Sequence, residues 1–447
     1  MRVILHAKDG FGATIRVPSS KSHTHRALFI AALVEGKSRI LEPLWADDTL
    51  ATKNVIERFG AVIEKQLDSE VVVYGVTGPR WTPLLDCRES GTTLRIAYAL
   101  ASLLDNTTLV YGRGRLHQRP LTGLARALEQ LGAKTLLSRE CCPPAAVRGP
   151  LHGNKTSVDA WESSQYLTAL LILGAALDGE LVVKVERLSS KGYVDITLSV
   201  LKAFGVKVER EAYRVFTVKG TPKPTTYRVP GDWSSATPLL VLAAITNSRL
   251  YVPNLNIWDP HPDKRIVGVL ERVGVKVRVY GDKGVEVEGG TKISSFEVCV
   301  DESPDLAPSL AVLAAAACGT SKVCCVERLR LKESDRLEAI LELLKQASIS
   351  ARYTKGCIVV EGLCGSKRRF SRLSPAPDHR IVMMASLLAT LSVNQVEISN
   401  AEAVRKSYPE YWTHLRLLNT IQLNIVEDYV WRENNQTCKK SMDSVQS

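Results

Sequence analysis

Aromatic residues make up only 6% of this 447-residue chain, and no two of its 10 cysteines stand in a CxxC arrangement. The shortage of aromatics removes the stacking platforms that single-stranded nucleic acid needs, so no nucleic-acid partner is expected. Without paired cysteine spacing there is no metal-binding signature. The cysteines are scattered, with adjacent pairs at Cys141–Cys142 and Cys324–Cys325. At this chain length they predict no disulfide framework, and the adjacent pairs read as small apolar residues. Long apolar runs are also missing: the longest are broken by Gly, Ser or polar residues at buried-helix length, short of a membrane span. The start, MRVILHAKDG, lacks the apolar core of a secretory signal. A soluble, cytoplasmic protein without a membrane partner is expected. Lysine and arginine outnumber aspartate and glutamate 58 to 47, a net charge of +11, yet they form no long blocks. Cations that recur singly inside short polar clusters favour a compact pocket for a small phosphorylated or carboxylated substrate over a polyanion track.

Those clusters repeat. Polar openings at Ser22, Ser90, Ser163, Ser234, Asp305 and Asp378 lie about seventy residues apart, and each leads into an Ala/Leu-rich run. Strand-like residues follow, then an amphipathic stretch ending in a large residue, Gly and a β-branched or small residue, as in VIERFGAVIEK, ALEQLGAKTLL, VLKAFGVKVER and VLERVGVKVRV. The fifth copy, LELLKQASISA, lacks the glycine. A strand pair closes each unit, as in VKVRVYG-DKGVEVEGG. Each unit therefore reads as strand, buried helix, strand, amphipathic helix and strand pair. Three units precede and three follow the Pro/Thr-rich segment Gly220–Thr226, the best candidate for a crossover between domains. Residues 16–225 are expected to form one domain and 226–427, completed by 1–15, a second. A polar tail over 428–447 should be frayed. Six helix N-termini rich in Ser, Asp and basic residues make six potential anion-binding ends.

In Arg330-Leu-Lys-Glu-Ser-Asp-Arg336, Asp335 and Glu338 stand at capping-box spacing, which reads Asp335 as a helix N-cap. Lys332 and Arg336 flank that start and can face one ligand. Glu333, between cations, is either an ion-pair partner or a general acid whose pKa rises beside a substrate anion. In Pro18-Ser-Ser-Lys-Ser-His-Thr-His-Arg26, Lys21 and Arg26 open a buried helix among hydroxyl residues, while His23 and His25 read as surface or supporting residues. Further cations come from the Gly-broken loop ending in Arg119-Pro120, from Arg95 in SGTTLR, from Asp378-His-Arg380 and from Arg405-Lys406. Gly91 permits close backbone approach to a ligand. Ser163, Ser164 and Gln165 offer neutral donors. Asp305 alone reads as an N-cap, and among five basic clusters it reads as a base.

These motifs, together with SSKGYVDITL and RKSYPEYW, resemble the enolpyruvyl transferase family, and within it the 5-enolpyruvylshikimate-3-phosphate synthases, from about residue 5 to residue 425. The resemblance implies a two-domain, inside-out α/β barrel of six βαβαββ repeats, three per domain, with the active site in the cleft. It implies transfer of the enolpyruvyl group of phosphoenolpyruvate to the 5-hydroxyl of 3-phosphoshikimate with release of phosphate, without cofactor or metal. Lys21, Ser22, Arg26, Ser163, Ser164, Gln165, Ser190, Tyr193, Asp305 and Lys332 match 3-phosphoshikimate-binding positions. Lys21, Gly91, Arg119, Gln165, Arg336, Arg380 and Lys406 match phosphoenolpyruvate-binding ones. Asp305 matches the base for the 5-hydroxyl, Glu333 the acid for the methylene carbon, and Lys21 a further catalytic position. Arg328 or Leu329 stands where many relatives carry an Asn, so that contact is unassigned.

The related UDP-N-acetylglucosamine enolpyruvyl transferase uses a loop cysteine as acid, and the loop Arg113–Pro120 has none. Both substrates are small anions, and a monomer is expected. Cations from both halves should repel one another across the cleft and oppose its closure in the absence of an anion.

Overall fold

A computed structural model describes residues 1–7, 10–67, 69–290, 292–418 and 421–426. The polar tail over 428–447 lies outside the described residues. Among the described residues, twelve α-helices alternate in character. The odd-numbered ones are α1 (Lys21–Ala32), α3 (Gly91–Ala101), α5 (Gln165–Gly174), α7 (Trp233–Ile245), α9 (Ala307–Ala316) and α11 (His379–Leu388). The even-numbered ones are α2 (Asp47–Arg58), α4 (Thr122–Gln130), α6 (Lys191–Ala203), α8 (Ile266–Arg272), α10 (Arg336–Gln346) and α12 (Tyr411–Leu417). The Ala/Leu-rich runs make the odd helices apolar all round, and they are buried accordingly: every residue of α7 except Ile245 is inaccessible. The even helices carry one apolar face. In α2, Ala51, Thr52, Val55 and Ile56 are buried while Asp47 and Asp48 occupy the first turn, where carboxylates suit the positive helix end.

The repeated glycine ends these amphipathic helices. Gly60, Gly132, Gly205 and Gly274 follow α2, α4, α6 and α8 with φ of 101°, 104°, 78° and 91°, the left-handed turn that lets the chain double back into a strand. In the fifth repeat Ser348 takes that conformation, at φ 56°, so the turn survives without glycine.

Six four-stranded sheets carry the helices. In each, the first strand pairs parallel with the second, the second antiparallel with the fourth, and the fourth with the third; Glu297–Cys299, Thr320–Cys324, Cys357–Glu361 and Ala351–Thr354 are an example. This is the six-fold βαβαββ, inside-out α/β architecture. Three strands are borrowed. Thr226–Arg228 supplies the first strand of the first sheet beside Lys37–Leu41, and Gly12–Thr14 that of the fourth beside Arg249–Val252. Arg2–Ala7 supplies the closing strand of the sixth, between Val396–Ile398 and Ile421–Val426.

Two hydrophobic cores result. One runs from Ala27 to Val229; the other gathers Trp233 onward together with Val3, Leu5, Ile15 and Val17. The chain therefore changes halves twice, between Val17 and Ala27 and between Val229 and Trp233. The two passages are sewn together: Ser20 N–H donates to Pro230 O at 2.7 Å and Asp232 N–H to Pro18 O at 2.9 Å. Thr226–Val229 sit with the first half, a few residues beyond the composition boundary.

The cysteines depart from expectation. Cys299–Cys325, Cys318–Cys364 and Cys324–Cys357 are disulfides that brace the fifth sheet, and Cys141–Cys142 is a fourth between neighbours. Strand pairing in that sheet brings together cysteines 26 to 46 residues apart, a proximity that spacing along the chain does not reveal.

Candidate active site

The buried helices aim their N-termini at the junction of the halves. Ser20 caps α1 by accepting from His23 N, and Ser90 caps α3 by accepting from Thr93 N. At the head of α5, Ser163 Oγ accepts from Gln165 N at 3.3 Å. These ends, with segments 119–120, 190–193, 305 and 328–333, line one cleft. Lys21, Ser22, Arg26, Gly91, Arg119, Ser163, Ser164 and Gln165 line it from the first half, with Ser190 and Tyr193. Asp305, Lys332 and Glu333 face them from the second. Arg336, Arg380 and Lys406 stand behind that lining and reach it through carboxylates.

On the first-half wall, Arg95 is the organiser. Its Nη1 donates to Gly91 O at 3.1 Å and Gln165 Oε1 at 3.0 Å, and its Nη2 to Pro120 O at 2.9 Å. Three elements that are remote in sequence are thus fixed by one guanidinium. A Cβ at position 91 would lie 2.6 Å from Arg119 Nη1 and 2.8 Å from Arg95 Nη1, so a larger residue there would push both guanidiniums aside. Arg26 donates to Thr197 Oγ1, Ser22 O, Thr168 Oγ1 and Tyr193 O, which spends four of its five N–H groups on the protein. Burial brings its pKa down to about 10. Burial likewise raises the Tyr193 phenol well above its usual value, and Asp263 and Asp305 add to the rise.

The opposite wall centres on Arg336, 1% exposed at the start of α10. Its Nη1 donates to Asp305 Oδ1, its Nη2 to Glu333 Oε2 and its Nε to Asp378 Oδ2, each at 2.8 Å. Burial alone would lift both cavity carboxyls. It is the largest single influence, but Arg336 together with Lys332 and Arg380 at Asp305, and with Arg119 and Lys406 at Glu333, outweighs it, so both carboxyls sit well below the usual range. Burial moves Lys332 the other way, down to about 8; Asp305 resists that shift, and Arg336 and Arg328 reinforce it.

Several single-residue expectations change. Asp305 caps no helix: the 3-10 turn Pro304–Leu306 leads into α9, and the carboxylate turns to Arg336 and, at 3.6 Å, to Arg380 Nε. Asp335 does cap α10, accepting from Glu338 N. His23 and His25 are buried, at 2% and 1% exposure, not superficial. His23 bonds Tyr227 Oη and Asp259 Oδ1, tying α1 to the second half, and His25 bonds Thr52 Oγ1, with burial driving its pKa to about 3.

Like charges do not confront each other bare across the cleft. Arg119 Nη1 meets Glu333 at 3.4 Å, and Lys406 Nζ meets Glu89 at 3.0 Å and Asp48 at 3.9 Å. Asp48 also holds Lys21 Nζ at 2.9 Å. Carboxylates from the opposite half interleave with the cations, which offsets the expected repulsion. Asp48, Thr92, Glu162 and Leu331 also line the cleft and were not singled out from sequence, and Arg328, left unassigned there, lines it too. The acidic pair Asp47-Asp48 in the first turn of α2 is a signal that could have marked Asp48.

Among the described residues no helix is long and apolar enough to cross a membrane, and no group of three or more His, Cys, Asp or Glu side chains is placed to hold a metal. Two α/β halves around a cleft lined by cations and the half-buried carboxylates Asp305 and Glu333 define a transferase built for small anionic substrates. The sequence profile of EPSP synthase (3-phosphoshikimate 1-carboxyvinyltransferase) matches residues 6–415, and the chain belongs to that family. The 3-phosphoshikimate 1-carboxyvinyltransferase of Aeropyrum pernix is 41% identical over 417 residues, covering 93% of this chain and 95% of the relative. That of Acetivibrio thermocellus is 36% identical over 409 residues, with coverage of 90% and 95%. The EPSP synthase structure from Acinetobacter baumannii superimposes with a TM-score of 0.80 at 25% identity, covering 95% of this chain and 99% of that one. The enolpyruvyl transferase NikO of Streptomyces tendae shares the fold, with a TM-score of 0.75 at 16% identity.

Proposed function

We infer that this chain transfers the enolpyruvyl group of phosphoenolpyruvate to the 5-hydroxyl of 3-phosphoshikimate, and that the cleft residues named above perform it. The observation carrying the site assignment is the Arg336 fork, which delivers Asp305 and Glu333 to one cavity from a single buried guanidinium. Asp305, ionised in this field, accepts the 5-hydroxyl proton as the oxygen bonds to C2 of phosphoenolpyruvate. Glu333 gives a proton to the methylene carbon C3. The C2–O bond to phosphate then breaks, C3 returns its proton to Glu333, and the hydroxyl proton leaves on phosphate.

Glu333 must be protonated to begin, while Arg336 and Arg119 hold it ionised. The phosphate and carboxylate of phosphoenolpyruvate, arriving beside Arg119, Lys21, Gly91 and Gln165, neutralise that field and raise the Glu333 pKa when an acid is needed. Arg336, Arg380 and Lys406 complete the phosphoenolpyruvate side by exchanging part of their carboxylate contacts for substrate oxygens. Arg26, Ser22, Ser163, Ser164, Ser190, Tyr193 and Lys332 hold 3-phosphoshikimate. Much of the rate comes from fixing two polyanions side by side.

Residues 18–229 form one domain, and 1–17 together with 230–426 form the other. Both walls come from one chain, so a monomer carries the complete site, and we place its work on small-molecule substrates in the cytoplasm. Purified protein should release phosphate only when both substrates are present, and UDP-N-acetylglucosamine should not replace 3-phosphoshikimate. Phosphate released from phosphoenolpyruvate alone would overturn the reading.

A further inference from the structure

Arg328 lies in the 3-10 turn Glu327–Leu331, 5% exposed, with its guanidinium among the groups lining the cleft. Nε and Nη2 donate to the Asp301 carboxylate at 3.0 and 2.9 Å, and Nη2 also reaches the Asp301 carbonyl. The same Nη2 donates to Ser190 Oγ at 3.1 Å. Ser190 belongs to the first half, Arg328 and Asp301 to the second, so this hydrogen bond crosses the cleft. The Ser190 hydroxyl in turn donates to Asp301 O at 3.2 Å.

Ser190 occupies the left-handed region, φ 52° and ψ 52°, just ahead of α6. A serine keeps that backbone only where its surroundings hold it. The Arg328–Asp301 pair provides both partners of its side chain. The pair is itself anchored, because the Cys299–Cys325 disulfide joins the strand just before Asp301 to the segment just before Arg328. Two of the Arg328 donors are engaged by a carboxylate that offsets its charge, which leaves it better suited to orienting a neighbour than to holding a phosphate outright.

We propose that Arg328 is a positioning residue for 3-phosphoshikimate that acts through Ser190. By donating to the serine oxygen it polarises the O–H bond, and the hydroxyl swings from Asp301 O to the substrate phosphate as a stronger donor. Because donor and serine lie on opposite halves, the contact exists only in the closed cleft. Phosphoshikimate affinity and closure are thereby linked at this point. The proposal rests on the reading of Ser190 as a phosphoshikimate contact.

Steady-state phosphate release at saturating phosphoenolpyruvate tests it with Arg328→Met, Ser190→Ala and the double variant. Dependence of the wild-type rate on both substrates checks the reaction itself, separately from the cycle. Each single substitution should raise KM for 3-phosphoshikimate roughly tenfold with kcat within about twofold, and the double variant should be no worse than the worse single. Arg328→Lys, which keeps the charge but not the fork, should give a smaller rise. Increases that multiply in the double variant mean independent sites and overturn the coupling, as does an unmoved KM in Arg328→Met. Asp301 lies outside the cleft lining, so Asp301→Asn loosens the fork with Arg328 in place and should raise KM several-fold. If Arg328→Met does not fold, an unchanged KM in Asp301→Asn overturns the proposal.

Discussion

Replacing Arg336 with methionine removes one cation from three carboxylates at once. Asp378 is fully buried, Glu333 is 16% exposed and Asp305 21%. Removing one partner of a buried pair costs about 3–5 kcal/mol. The lower end applies, because each carboxylate keeps other partners. Asp378 retains Ser334 Oγ at 3.0 Å and Arg380 N at 2.9 Å, Glu333 retains Arg119, and Asp305 retains Arg380. A loss of about 3 kcal/mol in a unit of this size lowers Tm by roughly 6–12 °C. The sign of the pH dependence follows from the carboxyl shifts. In the wild type, Asp305 and Glu333 sit below their unfolded values, so their contribution is present above the unfolded carboxylate pKa and fades as pH falls through the folded ones. In Arg336→Met, burial is less opposed and the folded carboxyls rise towards their unfolded values, so that variant loses less stability than the wild type as pH falls below about 4. Calorimetry at pH 7 and pH 3 should therefore find a Tm gap that narrows at the lower pH. A gap below about 2 °C, or one indifferent to pH, would show that Arg336 does not carry the charge of this wall.

Asp305→Asn and Glu333→Gln should each lower kcat on the order of a hundredfold or more, while Arg26→Ala chiefly raises KM for 3-phosphoshikimate. Near-normal turnover in Glu333→Gln would reduce Glu333 to an ion-pair partner of Arg336. With Lys332 brought down to about 8 by burial, its ammonium is present below that pH and lost above it. kcat/KM for 3-phosphoshikimate should accordingly fall on the alkaline side of pH 8, and Lys332→Arg should carry the profile past pH 9; matching profiles would remove Lys332 from the anion site. The disulfides spanning 26, 46 and 33 residues should each contribute about 3–4 kcal/mol by constraining the unfolded chain, whereas Cys141–Cys142 closes no loop. Complete reduction with a dithiol should lower Tm by 10 °C or more, and an unchanged melting curve would refute that.

What the sequence disclosed and what it concealed divide along contact distance. The repeats were legible because each is specified locally, by an apolar run, a facing stripe and a turn residue. Even where the glycine is missing, Ser348 adopts the turn its neighbours impose. The cations of the cleft were legible because they sit in short motifs at helix starts. Their counter-charges were not. Asp48 reaches Lys406 and Glu89 reaches the same lysine across more than three hundred residues, and Asp378, read with its basic neighbours, turns out to be the deepest partner of Arg336. The borrowed strand Thr226–Arg228 was concealed for the same reason, since its pairing with Lys37–Leu41 leaves no periodic trace in either segment.

The histidines show why this matters for chemistry. His23 and His25, polar and at the mouth of a helix, carry every local sign of exposure, yet their partners Asp259 and Thr52 arrive from elsewhere and take them into the interior. A cation motif therefore locates an anion site, but the protonation of its acid and base is set by carboxylates and guanidiniums that only the fold brings near. In this chain that dependence is concentrated at Arg336. One residue of a readable motif fixes the positions of Asp305 and Glu333 and, through the same three bonds, the charge each presents to a substrate.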